Sequence, residues 1–276
     1  MSQTPPDLTD HAAQSQHRSR AQHHDPGAMF LRELAFDEVQ ERLRMVNRRF
    51  TSPAIITPFA RRWAAAMPDA TIVADDDTLA LQEQDHDLVI HDLCLHWAND
   101  MVGQLVQARR ALRPDGMFLA TLFGGQTLVQ LRAALASAEV EVSGGLSPRV
   151  APMAEIRDLG GLLQRAGLAL PVADAITQTA SYTSLTALMH DLRAMGETNA
   201  LAARLRHPTR AELFKRAQDI YRRTHADDDG RLLATFEIIC LSGWAPHPEQ
   251  QQPLRPGSAS QSLAAALEDL KLPPKD

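Results

Sequence analysis

The chain has 276 residues, of which 44% are hydrophobic and 22% charged, and a formal net charge of −6. That is enough for one large globular domain or two small ones. No run of about 18 apolar residues occurs, which argues against a membrane-spanning helix, and a mildly acidic chain gives no electrostatic reason to expect nucleic acid as a partner.

Two cysteines, Cys94 and Cys240, lie inside apolar runs. They make neither a disulfide framework nor a zinc site and read as core thiols in a reducing compartment. The start of the chain has no apolar segment after a basic region, and Asp7, Asp10 and Asp25 argue against a transit peptide. The expected location is the bacterial cytoplasm.

In chain order, residues 1–28 are polar and are expected to form a disordered tail. Its His11, His17, His23 and His24 lack cysteine partners and a fixed spacing, so they read as solvated and no metal is expected. Residues 29–245 alternate short apolar runs with helical patterns and are expected to form one domain. A helix with Phe30, Leu34, Val39, Leu43 and Val46 on one face leads into the strand PAIIT. The helix PFARRWAAAM follows, then TIVADDD, an apolar run ending in Asp75, Asp76 and Asp77.

DLVIHDL reads as a buried strand leaving into the loop HWAND. The helix VGQLVQARRAL stops at RPDG, where Pro114 and Gly116 act as punctuation before the strand MFLATLF. GGQTLVQLRAALASAEV opens with Gly124 and Gly125 and continues as a helix. A loop, SGGLSPRVAP, precedes a helix that ends at Gly167. The remainder predicts a strand ADAITQTASY, a helix LTALMHDLRAMGETNAL, a charged helix RAELFKRAQDIYRRT, the turn DDDG and a long strand RLLATFEIICLSGWA. Residues 246–276 are Pro- and Gln-rich and are expected to be a flexible tail. Strand–helix alternation predicts an α/β fold with a parallel, doubly wound sheet. Any ligand would sit beyond the carboxyl ends of its strands.

The turns at those ends carry the candidate residues. An acid among Asp75–Asp77 can accept from a ribose hydroxyl or an adenine amino group, against the plain reading of a solvated turn. His96 can act as base or donor and Trp97 can floor a pocket, against the plain reading of a packed histidine under an aromatic lid. Gly124 and Gly125 allow close approach to a helix start, although ordinary turn geometry explains them as well. Gly144, Gly145, Ser147, Pro148 and Arg149 form a loop that could line a substrate entrance, with Arg149 free to pair an acidic partner. Arg132 and Arg193 read as solvated helix residues. Hydrolase, protease and NTPase signatures (GxSxG, HExxH, the P-loop lysine, CxxC) do not occur.

Taken together, DHDLVIHDLCLHWAND, ALRPDGMFLATLFGGQTLVQLR, GGLSPRVAPMAEIRDLGGLLQRAG, LMHDLRAMGETNAL and TFEIICLSGWAPHPEQ resemble a class I methyltransferase-like family. That family contains complex I assembly factor five of mitochondria and, more distantly, the carrier-protein methyltransferase of biotin synthesis. The likeness covers residues 29–257. It implies a Rossmann-like sheet that binds S-adenosylmethionine (SAM), methyl transfer or, as in the mitochondrial member, arginine hydroxylation, and a protein substrate or assembly partner. It places Asp75 at the adenine and Leu93 and Cys94 on the methionine side. Asp76 lies beside that acid, and His96 and Trp97 fall on the HW loop as the catalytic candidates.

One departure is plain. Relatives carry a glycine-rich loop after the first strand, where this chain reads Thr57-Pro58-Phe59-Ala60. The stretch to the ADDD turn is also short, so one early βα unit is expected to be missing. Pro58 offers no N–H, and Thr57 and Phe59 stand where bare backbone would meet the cofactor. Removing one hydrogen bond to the cofactor costs on the order of 1 kcal/mol, and removing two or three weakens binding roughly 100-fold. Two readings follow: a SAM-dependent enzyme with an altered cradle, or a catalytically inactive binding or assembly protein.

Overall fold

The computed structural model describes residues 7–22 and 26–250. The described residues up to Pro246 form one compact unit. Of the second, which starts at His247, only a turn is described, closed by the Gln250 amide on the His247 carbonyl at 3.1 Å. The expected tail beyond residue 250 lies outside the described residues.

The first correction comes at the start. Residues expected to be a disordered tail form a helix, α1 (His11–Ala21), capped by the Asp10 carboxylate on the Ala13 amide. Composition failed here because the helix does not dock through a large apolar face. It is held by main-chain bonds, Asp10 N to Ala200 O at 2.7 Å and Ala202 N to Leu8 O at 2.9 Å, and by Arg204 on Asp10. Its buried residues are Gln14, Arg18 and Ala21. Residues 1–6 and 23–25, including His23, His24 and Asp25, lie outside the described residues.

Next comes α2 (Phe30–Met45), whose buried stripe is Leu31, Ala35 and Val39 at four-residue spacing. A first βα unit follows, β1 (Pro53–Ile56), buried at all four positions, and α3 (Ala60–Ala66), anchored by Trp63. The chain then runs through β2 (Thr71–Val73), β3 (His86–His91), α4 (Met101–Ala111), β4 (Leu112–Phe123), α5 (Val129–Ser143) and α6 (Ile156–Arg165). It closes with β5 (Ala169–Tyr182), α7 (Leu185–Ala194), α8 (Ala211–His225) and β6 (Leu232–Trp244).

The six strands form one sheet in the order β2-β1-β3-β4-β6-β5. β1 to β4 pair in parallel, as the alternation predicts. The two long strands β5 and β6 pair antiparallel, so the sheet is mixed rather than wholly parallel. Successive residues of a strand face opposite ways. Ile55, Leu88, Ile90 and Leu119 therefore pack with Val39 and Trp63 on one face. Ala54, Ile56, Val89 and Phe118 pack with Leu105 and Leu163, from α4 and α6, on the other. Far along the sheet, Ile238 and Phe236 join α5, α7 and α8.

Two further differences concern the sequence signals. RPDG does not separate a helix from a strand: it lies inside β4, where the register shifts and Asp115 takes a φ of 62°. A second strand with an acid beyond its end is present, so the missing βα unit falls after β2. There, residues 74–85 reach β3 without a helix or strand.

Candidate functional site

From β1 the chain crosses to β2 on one side of it and then returns to β3 on the other. That reversal creates a switch point, beyond whose strand ends an open α/β sheet holds its ligand. Two turns meet there, Thr57–Phe59 after β1 and Asp92–Trp97 after β3.

The first turn is closed on itself. The Thr57 amide donates to Val73 O at 3.0 Å, the Phe59 amide donates to Thr57 Oγ1 at 3.1 Å, and Pro58 has no amide hydrogen. Thr57 Oγ1 in turn donates to Asp92 Oδ2 at 2.7 Å, stitching the two turns together. The Phe59 ring lies under the Arg32 guanidinium at 4.2 Å. So the backbone donors of residues 57–59 are spent within the fold.

Asp75 lies just beyond β2, the ribose position of such a sheet rather than the adenine position the resemblance implied, and it is also taken. Arg18 of α1 places Nη1 2.8 Å from both carboxylate oxygens of Asp75, with side chains 8% and 12% exposed. Gln22 donates to Pro58 O at 3.2 Å. Asp76 is exposed, and its carbonyl accepts from Gln104 at 2.6 Å. Asp77 meets His11 at 3.2 Å. A bound SAM needs a ribose acid and a backbone cradle, and in this arrangement both are consumed. The residues present do not fit the cofactor while α1 holds Asp75.

Beyond β3 the predicted residues converge, but on a partner the sequence reading missed. Leu93 takes a φ of 43°, a left-handed conformation rare for a branched residue and a mark of local strain at functional turns. Its amide donates to Thr121, and its carbonyl accepts from Arg32 at 3.4 Å. Cys94 Sγ lies 3.3 Å from His91 Nδ1. Such a dyad is reactive when it ionises. Here burial pushes the Cys94 thiol well up and the His91 imidazole down to about 4, so both stay neutral.

His96 and Trp97 turn onto Glu197. Trp97 Nε1 donates to Glu197 Oε2 at 2.7 Å, His96 Nε2 stands 3.3 Å from the same oxygen, and Arg32 Nη2 donates to Oε1 at 2.8 Å. Burial pushes this carboxyl up; the His96 hydrogen bond and the charges of His96, Arg32 and Arg18 outweigh it, leaving Glu197 at about 2. The local sequence explains the placement. Gly196, at φ 79°, ends α7 in a Schellman turn, with Glu197 N on Leu192 O at 2.8 Å and Gly196 N on Arg193 O at 3.1 Å. That turn brings Glu197 back under the HW loop.

Trp97 and Glu197 also line a cavity of about 210 Å³, walled by Phe123, Leu131, Met189 and Phe236, with Arg193 among its lining residues. The SGGLSPRVAP loop lines it too, through Arg149 and Val150. The acid that Arg149 pairs is in the chain itself: Glu139 accepts from it at 2.7 Å and from Ser147 at 2.6 Å. A Cβ on Gly124 would stand 2.3 Å from the Glu237 carboxylate and one on Gly125 2.2 Å from the Glu155 carboxylate, in each case the far end of a side chain that can swing aside. Asp100 caps α4 through the Gly103 amide, and Asn99 accepts from the Thr9 amide.

Glu197, Arg32, Asp92 and Arg18 were absent from the sequence candidates. Asp92 had a signal, an acid inside the apolar run DLVIHDL. Arg18 had none.

With this geometry in view, a family model described as a methyltransferase domain matches residues 31–120. The mitochondrial arginine-hydroxylase NDUFAF5 of Dictyostelium discoideum is 42% identical over 69% of this chain and 44% of its own length. The NDUFAF5 of Danio rerio is 35% identical over 80% of this chain and 68% of its own. The malonyl-[acyl-carrier protein] O-methyltransferase of Xylella fastidiosa is 35% identical over 66% of this chain and 59% of its own. The chain thus spans from under half to about two thirds of the length of these relatives. Among solved structures, the YcgJ protein of Bacillus subtilis shares the fold, with a TM-score of 0.50 at 10% identity over 77% of this chain and 99% of that one.

Proposed function

The chain belongs to the methyltransferase-domain family of the NDUFAF5 proteins, and from that premise we propose that it acts as a binding member of the family in respiratory complex I assembly. It holds an apolar segment of a partner polypeptide in the cavity beside Trp97. The carrying observation is the division of the site. The cavity is open to a side chain and walled by Phe123, Leu131 and Phe236, while the cofactor cleft is filled by Arg18 and Gln22. Apolar walls with a few placed polar groups suit recognition of a side chain or acyl group. Among the described residues no helix is long and apolar enough to cross a membrane, and the protein acts from the cytoplasm.

A second reading, SAM-dependent methyl transfer, is favoured by one observation: the switch point and an acid beyond β2 are both retained. SAM binding then requires α1 to leave Asp75.

The test is complementation of a deletion strain, read as NADH-driven quinone reduction in its membranes. The wild-type chain and Asp75→Asn restore it, whereas Met189→Trp, which fills the cavity, does not. Rescue by Met189→Trp sinks the cavity reading, and failure of folded Asp75→Asn supports the catalytic one.

A further inference from the structure

Helix α1 lies across the ends of three strands at once. Gln22 reaches the turn after β1, Arg18 the acid beyond β2, and His11 meets Asn99 at 2.9 Å beyond β3. Its seat on the far side is the turn after α7. A Cβ added to Gly196 would stand 3.3 Å from the Arg18 backbone and from Ala21. The helix therefore occupies the nucleoside position of an open α/β sheet, where an acid beyond the second strand holds a ribose diol.

The closed state is poorly satisfied. Arg18 Nε and Nη2 and Asp92 Oδ1 are buried and have no hydrogen-bond partner among the described residues. Unpaired buried polar groups favour any state that hydrates or pairs them.

We propose that α1 is an intrachain latch: Arg18 takes the place of a ribose diol on Asp75, and release of the helix opens a site for an adenosine-class ligand. Guanidinium and diol both present paired hydrogen-bond donors to one carboxylate, so they compete for the same two oxygens. The inference concerns the cleft and not the cavity, so its failure leaves the binding reading above intact.

The experiment is calorimetric titration of the full chain with S-adenosylhomocysteine, with amide exchange followed over residues 11–21. Arg18→Ala is expected to bind at least tenfold more tightly than wild type, Arg18→Ala/Asp75→Asn to lose that gain, and ligand to deprotect residues 11–21 in wild type. Gln22→Ala, which loosens the helix without touching the ion pair, is expected to move affinity the same way by a smaller factor. It carries the test if Arg18→Ala does not fold. Equal affinity of wild type and the folded latch variants, or absence of binding in both, overturns the latch. So does binding with residues 11–21 still protected.

Discussion

The sharpest energetic prediction concerns Arg32 and Glu197, whose side chains are each 7% exposed and joined at 2.8 Å. Arg32→Met leaves a carboxylate facing only the Trp97 and His96 donors. Glu197→Gln leaves the guanidinium without its anion and turns an amide N–H₂ toward groups that already donate. Removing one partner of a buried pair costs about 3–5 kcal/mol, because the remaining charge is uncompensated. That is a large share of the 5–15 kcal/mol by which domains are stable.

Arg32 also covers the Phe59 ring at 4.2 Å, worth roughly 1–2 kcal/mol. Arg32→Met and the double variant both remove this stacking, so it cancels in a double-mutant cycle. The double variant Arg32→Met/Glu197→Gln should therefore be less destabilised than the sum of the singles by about 2 kcal/mol or more. Urea unfolding at neutral pH, followed by circular dichroism, measures all four corners. Additivity within about 0.5 kcal/mol, or a Glu197→Gln cost below about 1 kcal/mol, refutes the view that the node is a desolvated ion pair.

Two more predictions follow from the same turns. His91 is fully buried beside Cys94, Gln104, Asp75, His96 and Arg18, and burial lowers it from 6.5 to about 4. Between those values the unfolded chain binds the proton and the folded chain does not. Stability is thus complete above pH 6.5 and falls by about 3 kcal/mol as the pH drops toward 4. His91→Gln should flatten that slope in melts across the window, and an unchanged slope would assign the loss elsewhere. Thr57→Val keeps the shape of the turn but removes the donor at 2.7 Å from Asp92. It should cost about 1–3 kcal/mol, since Asp92 is left buried with fewer partners. A melting temperature equal to wild type would show that the stitch between the turns contributes nothing.

Much of the fold was legible in the sequence because its signals are local. The all-apolar PAII and LVI runs marked buried parallel strands, whereas the helix expected to run on through DLRAMGETNAL stops at Ala194, because Gly196 turns left-handed. The candidate site was half legible. HW could be placed beyond β3 from chain order, but its acid lies about a hundred residues later, and no periodicity links Trp97 to Glu197. The N-terminal segment was misread for a related reason. Polar composition predicts disorder when a segment must supply its own core, whereas α1 is held by ion pairs and by main-chain bonds to residues 200–202. The antiparallel β5–β6 pair was likewise hidden, since strand direction leaves no mark on a single strand's pattern.

Gly196 gives these features a shared vulnerability. Its left-handed turn aims Glu197 at the HW loop on one side, and its missing side chain admits the Arg18 backbone on the other. A replacement at this one position would disturb two surfaces that are also tied through Asn99, which bonds Thr9 and His11. Substitutions tolerated singly near Trp97 or near α1 would then stop being tolerated together, so epistasis between the two regions should run through residue 196. A library that pairs changes at Trp97 with changes at Gln14 or Ala21 would map that dependence directly.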